Sequence, residues 1–104
     1  MLFHKKLYFD EKLSKSKRKV VQKLKQGNLQ LGVHVITLAL NEKDLLEIYP
    51  SYILLQKVYR DSDLTVVGVA SGRDEAYELL TKMTEDCIKK NGNADLRQFF
   101  NKEL

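Results

Sequence analysis

The 104-residue sequence predicts a small α/β or α+β domain. Two runs, residues 33–40 (VHVITLAL) and 64–70 (LTVVGVA), are apolar on both alternating faces, the pattern of strands covered on both sides. Residues 74–90 repeat apolar side chains at helical spacing with charge opposite them. Residues 11–26 form a second helical pattern that is strongly basic. The expected sheet is mixed and has two or three strands, near 33–40, 45–49 and 64–70. Helices near 51–59, 74–90 and 94–102 pack on it, and the basic helix docks at one edge.

Taken in order, residues 2–9 (LFHKKLYF) suit a short extended segment. Asp10 is placed to cap the basic helix after it, because its carboxylate can accept from the free N–H groups of a first helical turn. In residues 11–26, Leu13, Val20, Val21 and Leu24 fall on one side of the helical wheel. Lys12, Lys15, Arg18, Lys19, Lys23 and Lys25 spread over the rest. Gly27-Asn28 is a stop, since glycine accepts the left-handed conformation at a helix end. In the run 33–40, Val33, Val35, Thr37 and Ala39 face one way, and His34, Ile36, Leu38 and Leu40 the other. Residues 41–44 (NEKD) read as a polar turn. Residues 45–49 (LLEIY) read as a returning strand, with helix as the alternative.

Pro50 suits a loop or first turn and not a strand interior. Residues 51–59 (SYILLQKVY) read as a short helix and 60–63 (RDSD) as a turn, so strand, helix and strand make a crossover. After the strand 64–70, Ser71 and Asp74 have the spacing of a capping box. Ala76, Leu80, Met83 and Cys87 form the stripe of the next helix, which Gly92 ends. Asn93 or Asp95 then starts a last one, with Leu96, Phe99 and Phe100 on its buried side.

Charge divides the chain. Residues 1–30 hold nine Lys/Arg and two Asp/Glu, a balance of +7, while residues 31–104 carry −3, leaving +4 in all. The organisation expected is a basic arm and helix over 1–30 and a single α/β core over 31–104. Hydrophobic residues at 43% and charged residues at 31% exclude wholesale disorder. Cys87 is the single cysteine, so no internal disulfide forms, which fits a reducing, cytoplasmic setting. Lys5, Lys6, Asp10 and Glu11 interrupt any signal-peptide core. No run approaches the roughly 20 apolar residues of a membrane span.

Residues 63–80 (DLTVVGVASGRDEAYELL), with 36–51 (ITLALNEKDLLEIYPS) and 91–100 (NGNADLRQFF), resemble a group of small uncharacterised α/β proteins of gut Firmicutes. The resemblance spans most of residues 33–100 and leaves out the basic helix. It implies a small α/β domain and carries no activity.

For function, the turn within VVGVASGRDEA (66–76) comes first. It has Gly68 and Gly72 but none of the glycine-rich phosphate-loop patterns. Asp74 and Glu75 already place negative charge at the positive end of the helix dipole. Ser71, Gly72 and Arg73 are still the place for a small-molecule or anion site, because ligands of open α/β sheets gather beyond strand C-termini. The basic helix offers Lys15, Lys17, Arg18, Lys19, Lys23 and Lys25 to a phosphate backbone, with Ser14, Ser16 and Gln22 as further donors. No aromatic residue lies within residues 10–30, so the helix itself has no stacking platform.

His34 and His4 are the only histidines, and one cysteine beside them cannot complete a zinc site. Cys87 and the aromatics Tyr49, Tyr52, Tyr59, Phe99 and Phe100 read as packing residues. Asp61 and Asp63 lack the repeated oxygen ligands of a calcium loop. No catalytic constellation, cofactor or metal is expected. Three readings remain: a non-enzymatic interaction or accessory domain with a protein partner or a second copy, nucleic-acid binding through the basic helix, and a small-molecule site at 71–73. An open sheet edge points to a homo-oligomer.

Overall fold

The run TVVGVA becomes the inner strand around which the rest is arranged. In a computed structural model of the protein, described for residues 1–40 and 46–101, the strands are β1 (Leu2–Phe9), β2 (His34–Leu38), β3 (Leu46–Pro50) and β4 (Thr65–Ala70). They form one four-stranded mixed sheet in the order β1-β4-β2-β3. β1 runs parallel to β4; β2 is antiparallel to both β4 and β3. The helices are α1 (Lys17–Gln26), α2 (Lys57–Arg60), α3 (Arg73–Asn91) and α4 (Leu96–Asn101).

β4 is buried along its whole length, and β2 is buried from Val35 to Leu38, as residues without charge on either face require. On one face Val35, Val66 and Val69 pack with Val20 and Leu24 of α1 and with Leu54. On the other, Ile36, Leu38, Val67 and Ala70 pack with Ala76, Leu79, Met83 and Cys87 of α3 and with Leu96 and Phe100 of α4. The sheet is thus the middle of three layers. Gly68 permits a close approach in this core: a Cβ there would lie 2.6 Å from Met83 Cε.

The sheet gains a strand over the expected two or three. The segment 2–9, broken by Lys5 and Lys6, is a true strand because only its ends pair: Leu2 and Phe3 with Thr65 and Val66, Tyr8 and Phe9 with Gly68 and Val69. The register shifts between Phe3 and Tyr8, and Lys5 and Lys6 are exposed there. Residues 1–30 therefore supply a strand and a packed helix to the same sheet as residues 31–101, and the boundary near 30 divides charge.

The helix expected over 11–26 is split. A 3₁₀ turn (Glu11–Leu13) is followed by α1 from Lys17. The helix expected over 51–59 is split as well, into a 3₁₀ segment (Ser51–Leu55) and α2, because Gln56 is extended. Ser51 anchors that segment, donating from N to Val33 O at 2.8 Å and from Oγ to Gln30 O at 2.9 Å. β2 is shorter than 33–40, and β3 is displaced from 45–49, with Leu45 outside the described residues. Pro50 closes β3, an edge strand, where its missing donor is harmless. β3 and β4 both run antiparallel to β2 from opposite sides, so the chain between them does make a crossover.

α3 starts at Arg73 and ends at Gly92, whose φ of 76° is left-handed. α4 is Leu96–Asn101 against the expected 94–102, and residue 102 is outside the described residues. Asp95 Oδ1 accepts from Gln98 N at 3.1 Å and caps α4. The polar turn expected at 41–44 lies outside the described residues.

Candidate functional site

The two places that the sequence marks for a ligand both draw on the strand β1. The first is the crevice beyond the C-terminal ends of β1 and β4. These strands are parallel neighbours, and the chain leaves β1 for the α1 face but leaves β4 for the α3 face. A crevice between oppositely directed connections is where doubly wound sheets bind anions. Here the donors of the turn are met from within, beside a recess of about 390 Å³ that is lined by acidic residues. Asp10, the residue after β1, accepts from Ser71 N at 2.8 Å through Oδ1 and from Ser71 Oγ at 2.7 Å through Oδ2.

Two capping expectations are corrected by that pair. Asp10 makes no cap bond to the segment after it, and Ser71 is not the cap of α3. The cap is Gly72, with no side-chain cap bond, and the Glu75 carboxylate bends back over it: a Cβ on Gly72 would lie 2.7 Å from Glu75 Oε1. The cause is the parallel pairing, which delivers Asp10 beside the turn. Of the three residues singled out there, Ser71 is engaged by Asp10, Gly72 by Glu75, and Arg73 lies over the Tyr77 ring at 5.9 Å. Arg73 and Tyr77 also border a recess of about 260 Å³ with His34, Ile48 and Pro50.

The second place is the groove between α1 and β1. α1 forms because its lysines, arginine, leucine and glutamines are good helix formers, and it buries Val20 and Leu24 against the sheet at 6% and 4% exposure. Gly27, at φ 74°, ends it, and a Cβ there would run into the Arg60 guanidinium at 2.3 Å. Arg60 Nη2 donates to Lys25 O at 3.2 Å, a cation at the negative end of the helix dipole. With so narrow a buried stripe, Lys15, Lys17, Arg18, Lys19 and Lys25 are exposed and Lys23 is half-buried.

Among the described residues none of these six cations pairs with a carboxylate. The basic segment meets acid at Lys12, whose Nζ is 3.8 Å from Glu75 Oε2. Lys17 and Lys25 instead lie over aromatic rings of β1. Lys17 Nζ is 5.5 Å from the Phe9 centroid and Lys25 Nζ is 5.3 Å from that of Phe3. Phe9, Lys17, Arg18, Val21, Gln22 and Lys25 enclose a groove of about 560 Å³. The fold thus supplies from β1 the aromatic platform that residues 10–30 lack. Its signal in the sequence is the recurrence of Phe3, Leu7 and Phe9 within LFHKKLYF.

Several other polar groups are committed to structure. His4, 3% exposed, accepts from Lys6 N at Nδ1 (3.0 Å), so its Nε2 carries the proton and donates to Phe100 O at 2.8 Å. Beside it Tyr8 donates to Asp86 at 2.7 Å, and burial together with this carboxylate pushes the Tyr8 hydroxyl well above its usual pKa. Tyr49 is raised likewise by burial and its bond to Glu47. Cys87 is buried and donates to Asn93 O at 3.2 Å. His34 Nδ1 bonds Gly32 O at 2.8 Å. Among the described residues no group of three or more His, Cys, Asp or Glu is placed to hold a metal ion. Among them, too, no helix is long and apolar enough to cross a membrane.

Compared with protein-family models, curated proteins and solved structures, the chain matches none.

Proposed function

We propose that the protein is a non-enzymatic binding domain whose partner is a nucleic acid, held by Lys15, Lys17, Arg18, Lys19, Lys23 and Lys25. One observation carries the reading: these cations stand on or beside one helix without a carboxylate partner among the described residues, although the rest of the chain is net acidic. A phosphate backbone neutralises such a row and releases counterions on doing so. A membrane surface is a poorer fit, because α1 has already buried Val20 and Leu24 on the sheet and keeps little apolar surface for an acyl boundary. The Asp10–Ser71 pair argues against the small-molecule reading of the turn.

Binding of oligonucleotides measured across a salt series tests this. Engagement of about four phosphates gives a slope of log K against log salt near −3. Binding that is absent at low salt, or indifferent to salt, overturns the proposal. Solution mass at micromolar protein separates it from self-association: β1 and β3 each have an unpaired side, and a dimer that forms without nucleic acid and excludes it would assign α1 to a second copy.

A further inference from the structure

The groove has more than charge. Phe3 and Phe9 stand near opposite ends of β1, on the face that packs towards α1. Each is half-buried, and each has a lysine ammonium over its ring. Lys17 and Lys25 are exposed and Phe9 lines the groove, so the covered ring faces lie at the surface beneath side chains that can move aside.

The spacing of the two rings can be read twice. Phe3 pairs with Val66 and Phe9 with Val69, three residues of strand, or about 10 Å. Lys25 covers Phe3 and Lys17 covers Phe9, eight residues of helix, or about 12 Å. The helix therefore runs back along the strand, and two ring–ammonium pairs repeat along one seam. Val21 and Gln22 line the groove beside Phe9. Gln22 presents both a donor and an acceptor, which suits the edge of an unpaired base.

We infer that the α1–β1 seam binds single-stranded nucleic acid, with bases stacked on Phe9 and Phe3 and the displaced Lys17 and Lys25 moved onto the adjoining phosphates. The inference rests on the nucleic-acid reading above and adds to it the state of the ligand. In a duplex each base face is already covered by its neighbours in the stack, so both rings would be left idle and only phosphate contacts would remain. An unpaired base offers its π-face, and every base has one, so binding is tolerant of sequence. The exchange conserves charge: each lysine leaves a ring for a phosphate as the base takes its place.

The test is fluorescence anisotropy with three labelled probes of equal length and known charge: a single strand, its duplex, and an abasic sugar–phosphate strand. RNA and DNA versions of the single strand tell which sugar is preferred. The single strand is expected to bind at least about tenfold more tightly than the abasic strand, the worth of one stacked base. It is also expected to outbind the duplex. Phe9→Leu, which keeps apolar bulk at the sheet, lowers single-strand affinity about tenfold and leaves the salt slope and the duplex affinity unchanged. Equal binding of abasic and normal strands overturns the inference and leaves the nucleic-acid reading standing, as does a preference for duplex. Failure of all three probes overturns both. The abasic comparison uses the unaltered protein, so a variant that folds poorly does not decide the outcome.

Discussion

The crevice beyond β1 and β4 and the groove between β1 and α1 share one strand and have opposite chemistry. In the crevice the chain brings its own anion: Asp10 takes both donors of Ser71, and Glu75 folds over Gly72. In the groove no carboxylate arrives among the described residues, and the lysines rest on phenyl rings. Both sites began as positive ends or rows that an anion would favour. What separates them is whether the fold delivers an internal partner. A site that looks inviting by topology already holds the chain's own carboxylates, and one that topology does not mark holds cations without them.

The largest effect is expected in the crevice. Asp10→Ala removes two bonds to a charged acceptor and is expected to cost about 2 kcal/mol in urea unfolding. Asp10→Asn, which keeps one acceptor oxygen, is expected to cost about half as much. A loss near zero for both would mean that the crevice is not closed by this pair. In the groove the signs reverse. Lys17→Gln, Arg18→Gln and Lys25→Gln together are expected to weaken oligonucleotide binding about tenfold at low salt and to flatten the salt slope. Unfolding free energy should move by no more than about 1 kcal/mol, because none of the three holds a carboxylate and only two exposed cation–π contacts are lost. A large loss of stability with binding intact would reverse the comparison.

Smaller effects come from groups belonging to neither place. Thr37 is fully buried in β2, and its Oγ1 has no partner among the described residues. Thr37→Val is expected to stabilise the fold by about 1 kcal/mol, since a buried hydroxyl without a bond is replaced by a methyl group of similar shape. Tyr8 and Tyr49 give the last prediction. Burial and the bonds to Asp86 and Glu47 raise both hydroxyls above the ordinary value of 10.0, so their folded-state advantage belongs to the protonated form. That contribution is fully present below about pH 10, the unfolded value, and is lost as the pH rises through the higher folded one. Absorbance titration should show Tyr8 and Tyr49 ionising above the ordinary tyrosine value, and Asp86→Asn should bring Tyr8 forward.

The parts of the fold legible in the sequence are those set by local pattern. β2 and β4 are recognisable because neither face carries charge, and α3 because its stripe persists from Ala76 to Cys87. The parts that are not legible depend on residues far apart in the chain. The Asp10–Ser71 pair joins positions 61 apart, so each residue alone looks like the cap of its own helix. β1 is obscured because Lys5 and Lys6 break its alternation, and only the register shift in the sheet accommodates them. The six cations stand out as a group in the sequence, yet the rings that flank them come from a strand that precedes the helix. Apolar spacing over five residues does not distinguish a 3₁₀ segment from an α-helix, which is why Ser51–Leu55 departs from its expected form.

The register shift in β1 has a consequence for how the chain can change. Only its ends are pinned, at Val66 and at Val69, so the interval between the two phenyl rings is measured out by β4. The four residues between Phe3 and Tyr8 fall outside that pairing. Within that interval His4 is tied to Phe100 O and to Lys6 N, and Leu7 packs on the core beneath α1, so Lys5 is the residue that the sheet and the core hold least. A single residue added to β4 between Val66 and Val69 would put both rings out of step with Lys17 and Lys25.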